Sequence, residues 1–466
     1  MTEPSRRATP LMVLIITTAG AFVSSFSASS VNVALPLIGL EYHLAAVTLN
    51  WVVTAFVLTS AVLIMPMGRL GDLHGRQRVF SWGLGVMTLG SLSAALAPTP
   101  ELLLAARALS GVGMAMATGT ITAVLVAAYP PEQRGRILGI NVAMVYLGIS
   151  VGPALGGVLT QLWGWRALFG LHAALSLTVL GLVVGWLHGN DKQHQPGKFD
   201  LVGSLVYAGG LALLLVGVSD LPQLLGIGLL VAGFALLAVF WWYESKTAHP
   251  VLPVTLLTKN RIFAFSNLAA VFSYSATFSV AFFLSLYLEV VRGFSPAQTG
   301  LVLVTQSLVQ AAFSPLTGRL SDKLSPRWLA SGGMALTALG LVGLAFLDAV
   351  TPLPFLVGAL VLIGLGFALF SSPNTNAVMG SVERRDLGLA SATVATMRVV
   401  GQMASMGLAL VLLSLILGKA AISAETSGAF VVAQRWGFGL SALLCTLGIA
   451  ASLARGSRKA EEPGQA

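Results

Sequence analysis

The sequence predicts an all-α integral membrane protein in which two related six-helix halves flank an inserted pair of helices. Three observations predict this fold class. The 466 residues are 56% hydrophobic and only 9% charged, whereas soluble domains carry about 25% charged residues. Apolar runs of about 20 residues, the length that spans a bilayer as a helix, recur along the whole chain. A charged, glycine-rich segment at 68–78 (GRLGDLHGRQR) returns in shorter form at 318–323 (GRLSDK), which indicates an internal repeat.

Fourteen membrane helices follow from the lengths of the apolar runs and from the glycine, proline and charged residues that separate them. They are predicted at 12–36, 48–67, 79–97, 102–124, 137–160, 166–187, 201–219, 221–241, 262–288, 297–317, 328–347, 353–372, 388–417 and 431–453. Fourteen divides as six, two and six. The predicted domains are therefore an N-terminal six-helix bundle at 1–188, an inserted helix pair with flanking cytoplasmic loops at 189–260, and a C-terminal six-helix bundle with a short tail at 261–466.

The distribution of Lys and Arg predicts the orientation of these helices. Of the 26 basic residues, twenty lie in the two tails and in the loops on the same side of the predicted helices. The opposite loops hold only Arg166, Arg292, Lys419 and Arg435, while Arg107 and Arg398 fall within helices. Because basic loops stay in the cytoplasm, both termini are expected there, in a multi-pass protein of the plasma (inner) membrane. The very apolar inserted pair is expected to pack towards lipid.

The composition also excludes several classes of function. Cys445 is the single cysteine, so the chain forms no internal disulfide and no cysteine metal cluster. No phosphate-binding P-loop and no G-x-G-x-x-G dinucleotide loop is present. The net charge of +9 is explained by membrane topology, so no nucleic-acid partner is expected. We expect neither an enzyme nor a cofactor or metal ion.

The repeated charged segment is predicted to be a loop that latches one membrane face. Its glycines allow a tight turn between helices. Asp72 is expected to contact the N-terminus of a neighbouring helix, where the helix dipole favours a negative charge, and Arg76 to contact a carboxylate or a helix C-terminus. Asp322 is the equivalent aspartate of the second copy. The alternative is that the basic loop only fixes topology; its recurrence at the same place in each half favours a conformational switch.

The fifth predicted helix carries a face of small residues. Gly148, Gly152 and Gly156 recur every four residues and therefore share one side of the helix, which allows another backbone to approach closely. Pro153 removes one backbone donor and is expected to bend the helix. Ordinary tight packing is the alternative, but the length and order of the pattern favour a surface on which helices slide or rock.

These motifs together resemble those of the major facilitator superfamily, and within it the fourteen-helix drug/proton antiporter branch. The segment 68–78 resembles the signature loop between helices 2 and 3, and 148–157 resembles the antiporter motif of helix 5. Residues 103–115 resemble the helix 4 motif, with Arg107 at its arginine and Ser110 where glutamine is usual. Residues 32–36 (NVALP) match the end of the helix 1 motif. Residues 163–169 (WGWRALF) resemble the motif that opens helix 6, and His172 stands shortly after it where asparagine is usual.

The resemblance implies a central cavity lined by helices 1, 4, 9 and 12, and it suggests the residues that bind substrate. These candidates are Ser27, Asn32, Arg107, Tyr274, Phe278, Gln306 and Asn374. Apart from Arg107 they are neutral, so the pocket is expected to suit an amphiphilic, mostly apolar molecule. Arg107 has two possible roles. It is either an electrostatic switch or anion contact, or a structural hub that hydrogen-bonds neighbouring helices. Arg398 is expected to be a packing hub, because helix 13 supports rather than lines the cavity in the resembled fold.

One position departs from the resembled pattern. Ser27 occupies the place at which the helix 1 motif usually carries an aspartate, and no other Asp or Glu falls near the centre of a predicted helix. A membrane carboxylate is the usual proton carrier and the usual partner of a cationic drug. The cavity is therefore expected to be neutral to positive and to handle neutral, zwitterionic or anionic amphiphiles better than dications. Glu289 and His172 are the remaining candidates for proton coupling, although Glu289 could simply pair with Arg292 at the interface.

The predicted function is that of a secondary active transporter that exports amphiphilic, drug-like or lipophilic small molecules by alternating access, in a proton-coupled antiport. The expected partners are the small amphiphilic substrate, protons and the lipid bilayer, and the protein is expected to be a monomer. The alternative is an importer or uniporter of a small metabolite with weak or absent proton coupling, because Ser27 replaces the helix 1 carboxylate. A channel is disfavoured, since two repeats with a hinged helix 5 suit alternating access.

Overall fold

The computed structural model describes residues 9–44, 46–187, 197–247, 250–348, 350–418 and 426–456. The described part of the chain contains fourteen long helices. They are α1 Pro10–Val33, α2 Ala46–His74, α3 Arg76–Ala95, α4 Pro100–Ala127, α5 Arg134–Trp163, α6 Trp165–Trp186, α7 Leu201–Ser219, α8 Leu224–Glu244, α9 Arg261–Val291, α10 Pro296–Lys323, α11 Pro326–Ala345, α12 Leu353–Gly380, α13 Leu387–Leu417 and α14 Ser427–Ala454. The predicted connection at 189–200 lies partly outside the described residues, as do most of the two tails.

The all-α membrane fold is confirmed, and each predicted span coincides with one long helix. Thirteen of these helices are long and apolar enough to cross a membrane. The remaining one, α3, is diluted by glycine and serine, yet its apolar face is fully buried at Val79, Phe80 and Leu84. It packs against α4 and α6 of the N-terminal half, while Trp82 and Leu89 on its other side remain exposed.

The charged repeat is not the loop that the sequence predicts. Gly68 and Asp72 lie in the last turns of α2, which continues to His74, and Arg76 already begins α3. Only Gly75 makes the turn, at a φ of 104°, a conformation that glycine adopts without the steric cost of a side chain. The second copy likewise forms the end of α10. The charged side chains are thus held on rigid helix ends.

Each six-helix half has its own apolar interior. In the N-terminal half, α1, α3, α4 and α6 share a cluster that includes Ile16, Phe80 and Val183. In the C-terminal half, α9, α11, α12 and α14 pack around Phe283, Leu341 and others. Further apolar clusters join the two halves, as where Leu138 of α5 packs with Phe263 of α9 and Val378 of α12.

The inserted pair α7 and α8 packs beside the seam between α2 and α13. Tyr207 of α7 donates its hydroxyl to Thr396 Oγ1 of α13 at 3.3 Å, and its ring packs on Phe240 of α8 at 5.4 Å. The far side of α8 is exposed, with Leu224 84% and Phe234 65% accessible. Such an apolar outer face suits contact with lipid.

Candidate functional site

The first clasp joins the end of α2 to the start of α13. It consists of Asp72 and Arg76 with Gly388 and Leu389. The buried Asp72 carboxylate accepts hydrogen bonds from the backbone nitrogens of Gly388 at 2.9 Å and Leu389 at 2.8 Å. Arg76 donates Nε to Asp72 Oδ1 at 2.7 Å and Nη2 to the carbonyl of Arg384 at 2.6 Å. A carboxylate thus satisfies the free N–H groups of a helix in the other half.

The second clasp repeats this arrangement between α10 and α5. It consists of Asp322 with Gly135 and Arg136. Asp322 Oδ1 accepts from the backbone nitrogen of Gly135 at 2.6 Å, and Oδ2 accepts from that of Arg136 at 2.9 Å. The predicted contact between each aspartate and a helix N-terminus is therefore present, and both contacts cross between the two halves.

Glycines allow the helices of both clasps to approach closely. A Cβ on Gly388 would lie 2.8 Å from the carbonyl oxygen of Gly68. In the second clasp, a Cβ on Gly139 would lie 2.9 Å from Cα of Pro315, and one on Gly318 would collide with the carbonyl of Gly135. Larger side chains at these positions would force the two halves apart.

Along α5 the close glycine contacts change partner. Gly135 and Gly139 contact α10 of the opposite half, whereas Gly148, Gly152 and Gly156 lie against α1 of the same half. A Cβ on Gly152 would collide with Ser29 Oγ, and one on Gly156 would lie 2.9 Å from the carbonyl oxygen of Ser30. The predicted small-residue face thus exists, and it packs within the N-terminal half. Pro153 is exposed on another side of the same continuous helix.

A cavity lies between the halves, beyond the clasps. It has about 780 Å³ of space, including the part open to solvent. It is lined by α1, α4 and α5 from one half and by α9, α12 and α13 from the other. Polar groups come from Asn141, Tyr146, Tyr274, Ser371 and Thr375, set among Ala, Val, Met and Ile side chains. An amphiphilic lining of this kind can hold an amphiphilic ligand.

Arg398 of α13 lines this cavity, which corrects the expectation that it is a packing hub away from the substrate path. It is half-buried and lies close enough to Tyr146 and Tyr274 to interact with them electrostatically. Among the described residues that line the cavity, Arg398 is the one charged side chain, and none is Asp, Glu, Lys or His. The lining therefore carries a positive charge.

Tyr274 is the one predicted substrate residue that the structure places in the lining of this cavity. Its ring packs edge-on against Phe367 at 5.2 Å, and Tyr146 from the other half approaches the same ring at 6.1 Å. Ser27 is buried without lining the cavity, although its neighbour Ser24 does line it. In this conformation α1 therefore contributes to the lining through Ser24 and not through Ser27.

The remaining predicted substrate residues lie elsewhere. Asn32 is exposed at the outer turn of α1, Phe278 is 49% exposed, and Gln306 is half-buried on α10. Asn374 is buried in the C-terminal part of α12, where its Nδ2 donates to the carbonyl of Ser266 at 3.0 Å. In this conformation these four side chains do not meet around a common ligand space.

Arg107 is enclosed within the N-terminal half. It is 1% exposed, donates Nε to the carbonyl of Val52 at 2.9 Å, and lies over the rings of Phe56 and Phe169 at 4.2 and 5.6 Å. These contacts tie α4 to α2 and α6, as expected for a structural hub. Arg107 therefore does not supply the positive charge of the cavity.

His172 and Glu289 also lie outside the cavity. His172 Nε2 is 2.9 Å from Ser30 Oγ, and its ring packs edge-on against Phe26. Glu289 is half-buried in a π-helical turn near the outer end of α9 and accepts from Ser285 Oγ at 3.2 Å. Arg292 donates instead to the carbonyl of Thr351 and to Tyr287, so the expected ion pair between Glu289 and Arg292 is not formed.

Sequence reasoning missed the groups that receive the two aspartates. Gly135 and Gly388 each follow a short polar segment that begins with a glutamate, at Glu132 and Glu383. Each glycine is the second residue of its helix. The similar placement of these segments in the two halves was a signal that could have paired them with Asp322 and Asp72.

The chain is similar to known proteins over most of its length. The sequence profile of the Major Facilitator Superfamily matches residues 17–242 and 263–466. The riboflavin transporter RibZ of Clostridioides difficile (strain 630) is 30% identical over 390 residues, which cover 83% of this chain and 84% of RibZ. The multidrug resistance protein Stp of Mycobacterium tuberculosis (strain CDC 1551 / Oshkosh) is 32% identical over 400 residues, which cover 84% of this chain and 74% of Stp.

A solved structure supports the fold independently of close sequence similarity. The human organic anion transporter MFSD10 (TETRAN) superimposes with a TM-score of 0.71 at 14% sequence identity, over 97% of this chain and 100% of the other. At that identity the similarity concerns the fold alone. The overall fold is thus shared by proteins of very different sequence.

Proposed function

The chain belongs to the Major Facilitator Superfamily, and on that basis we propose that it is a secondary active transporter that exports amphiphilic small molecules by alternating access. The observation that carries the proposal is the pair of equivalent clasps at one face of a cavity between two halves. Both clasps bond a side chain of one half to backbone nitrogens of the other. They are removable contacts of the kind that a two-state transporter requires.

The conformation described here is closed at the clasped face. That face also holds the ends of α2 and α10 and the start of α9, where the basic residues concentrate, and it is therefore assigned to the cytoplasm. Release of both clasps would open the cavity to the cytoplasm while the α1–α5 contacts remain within one half. The proposed location is the plasma (inner) membrane, with both termini cytoplasmic and the protein acting as a monomer.

The proposed substrates are neutral, zwitterionic or anionic amphiphiles. Arg398 gives the cavity a positive charge, and the described lining offers no carboxylate to balance a cationic ligand. An isolated charge in an apolar site is costly unless a partner of opposite sign is present. The sequence predicts the same substrate class from Ser27 and Arg107. In the structure, Arg398 takes the place of Arg107 as the positive charge of the cavity.

We propose export because of the similarity to a multidrug resistance protein, Stp, over most of the chain, together with the antiporter motif of α5. Protons are the proposed driving ion. Since neither Glu289 nor His172 lines the cavity, their coupling role would be indirect. Glu289 sits in a π-helical turn, a local irregularity that often marks a functional site, and it remains the first candidate.

A second candidate function is transport of a small metabolite in either direction with weak proton coupling. The similarity to the riboflavin transporter RibZ favours it, as does the distance of both proton candidates from the cavity. The two functions are separated by measuring the accumulation of amphiphilic drugs in cells with and without the gene. Lower accumulation that returns to the control level with a protonophore supports proton-driven export. Unchanged drug accumulation together with gene-dependent riboflavin uptake supports the second function.

A further inference from the structure

A second cavity lies at the cytoplasmic face beside the second clasp. It has about 740 Å³ of space, including the part open to solvent. Helix α5 contributes its first residue, Arg134, and the C-terminal half contributes Arg327 at the start of α11 and Arg455 just after α14. Asp322 is its one acidic lining residue among those described. The cavity therefore brings three arginines from both halves around one carboxylate.

Arg455 is buried in this cavity without a counter-charge. It is 2% exposed, and its Nη1 donates to two neutral groups, Ser266 Oγ at 3.3 Å and Asn374 Oδ1 at 3.1 Å. Its Nη2 has no hydrogen-bond partner among the described residues, and neither has Nε of Arg327. Burial, with a further contribution from the positive charge of Arg327, lowers the pKa of Arg455 to about 10. Two cations thus face the same space.

Among the described residues, Asp322 does not neutralise Arg327 or Arg455 through an ion pair. Its two oxygens accept from the backbone nitrogens of Gly135 and Arg136. Within the described ranges, Arg327 and Arg455 have no carboxylate oxygen within the 4.0 Å that defines an ion pair. A buried charge is costly without a partner, and an anion with several oxygen acceptors would satisfy the free guanidinium N–H groups.

We infer that this cytoplasmic cavity binds a phosphate-type anion, held by Arg327 and Arg455 with Arg134 at the opposite wall. Guanidinium groups bind phosphate through paired hydrogen bonds. The cavity lies where the helices end, at the level of lipid headgroups, so an anionic phospholipid can supply the phosphate; a soluble phosphate can supply the same chemistry. Either anion bridges the two halves beside the second clasp and favours the conformation closed to the cytoplasm.

The test measures binding to the purified full-length protein in detergent, and so does not depend on any transport substrate. Thermal unfolding is followed while inorganic phosphate, or short-chain phosphatidylglycerol with phosphatidylcholine as its uncharged control, is titrated. A ligand that binds only the folded protein raises the Tm with its concentration. We expect a saturable rise with at least one of the two phosphate sources, and none with phosphatidylcholine.

Variants of the lining arginines decide whether this cavity causes the rise in Tm with phosphate. Arg455→Gln and Arg327→Gln are each expected to raise the phosphate concentration that gives half of the Tm rise by about tenfold or more, because each removes a charge-assisted hydrogen bond. Arg319→Gln removes an exposed charge from the end of α10, outside the cavity, and is expected to bind normally. If Arg455→Gln does not fold, Arg327→Gln carries the test. A rise with phosphatidylglycerol alone identifies a lipid site, and a rise with inorganic phosphate identifies a soluble anion.

The inference is overturned if neither phosphate source stabilises the protein saturably. It is equally overturned if Arg327→Gln and Arg319→Gln respond alike. Loss of this binding with drug export intact would leave the proposed transport function standing, and loss of export with binding intact would leave the anion site standing.

Discussion

The carboxylate of Asp72 accepts a hydrogen bond from the backbone nitrogen of Gly388 at 2.9 Å, although 316 residues separate the two along the chain. Asp322 makes the equivalent bond to Gly135 at 2.6 Å. Each aspartate thus connects the end of one helix to the start of a helix in the other half. The two bonds are the contacts that we expect to break when the cavity opens to the cytoplasm.

Replacing Asp72 by Asn is expected to favour the conformation open to the cytoplasm. The amide keeps the shape of the side chain but removes the charge that two backbone nitrogens and Arg76 share. A hydrogen bond to a charged group contributes roughly 1.5–3 kcal/mol, more than the surface dipole contact that the sequence suggested. Transport is expected to fall several-fold, with the protein still folded by size-exclusion chromatography.

Accessibility provides the direct readout for this variant. Cys445 is the single cysteine and is buried, so Thr375→Cys in the cavity lining can be labelled selectively. In inside-out vesicles, Asp72→Asn is expected to increase the labelling of this cysteine by an impermeant maleimide. Glu101→Gln, at the exposed start of α4, makes the same chemical change at the other face and is the control. Equal labelling and normal transport in both variants would refute a clasp role.

Gly152→Ala is expected to impair turnover more than ligand binding. The added Cβ would collide with Ser29 Oγ and push α5 away from α1. Gly157→Ala is a matched control on the same helix, because its Cβ would meet only Val33 Cγ1 at 3.7 Å, an ordinary contact. Both changes stabilise the helical state equally, by ~1 kcal/mol, because alanine favours a helix more than glycine does. Binding by fluorescence and transport by uptake into vesicles separate the two effects, and equal behaviour of both variants would contradict the role of this face.

Glu289→Gln is expected to remove the dependence of transport on a proton gradient while leaving the fold intact. The side chain is half-buried near the outer face and accepts one hydrogen bond from Ser285, which an amide can also accept. His172→Gln is expected to lower stability instead, because His172 is buried against Phe26, Phe169 and Ser30. Transport driven by an imposed pH gradient in proteoliposomes checks both variants. An undiminished gradient-driven rate in Glu289→Gln would eliminate that residue as the proton carrier.

The fold could be predicted because membrane helices are identified by length and composition alone. The clasp aspartates could be predicted as well, since acidic residues between apolar runs are rare and these two are repeated. Their partners were not predicted, because a backbone N–H at a helix start has no residue-specific signal. The similar placement of Glu132 and Glu383 ahead of Gly135 and Gly388 was only an indirect signal.

The cavity was harder to predict because the rotation of an apolar helix about its axis is not fixed by its sequence. At ~100° per residue, Ser24 and Ser27 lie only about 60° apart around the helix, yet only Ser24 lines the cavity. Arg398 was assigned to packing because the resembled fold gives α13 a supporting role. The structure corrects that assignment, since residues Ser391 to Arg398 of α13 contribute to the lining.

We propose that Arg398 sets the charge preference of this transporter for its substrates. We expect Arg398→Gln to weaken the export of anions and to improve that of cations, each by about tenfold, the change that ~1.4 kcal/mol produces. Arg398→Lys keeps the charge and should retain the preference, and Arg319→Gln, which lies outside the cavity, should behave like the unmodified protein.

The most direct measurement is efflux of a matched series of amphiphiles on one scaffold, carrying no charge, one negative charge, one positive charge or two positive charges. The unmodified protein is expected to export the neutral and anionic members faster than the dication, and Arg398→Gln is expected to lose that order. Strong export of the dication by the unmodified protein, or an unchanged order in Arg398→Gln, would contradict the claim.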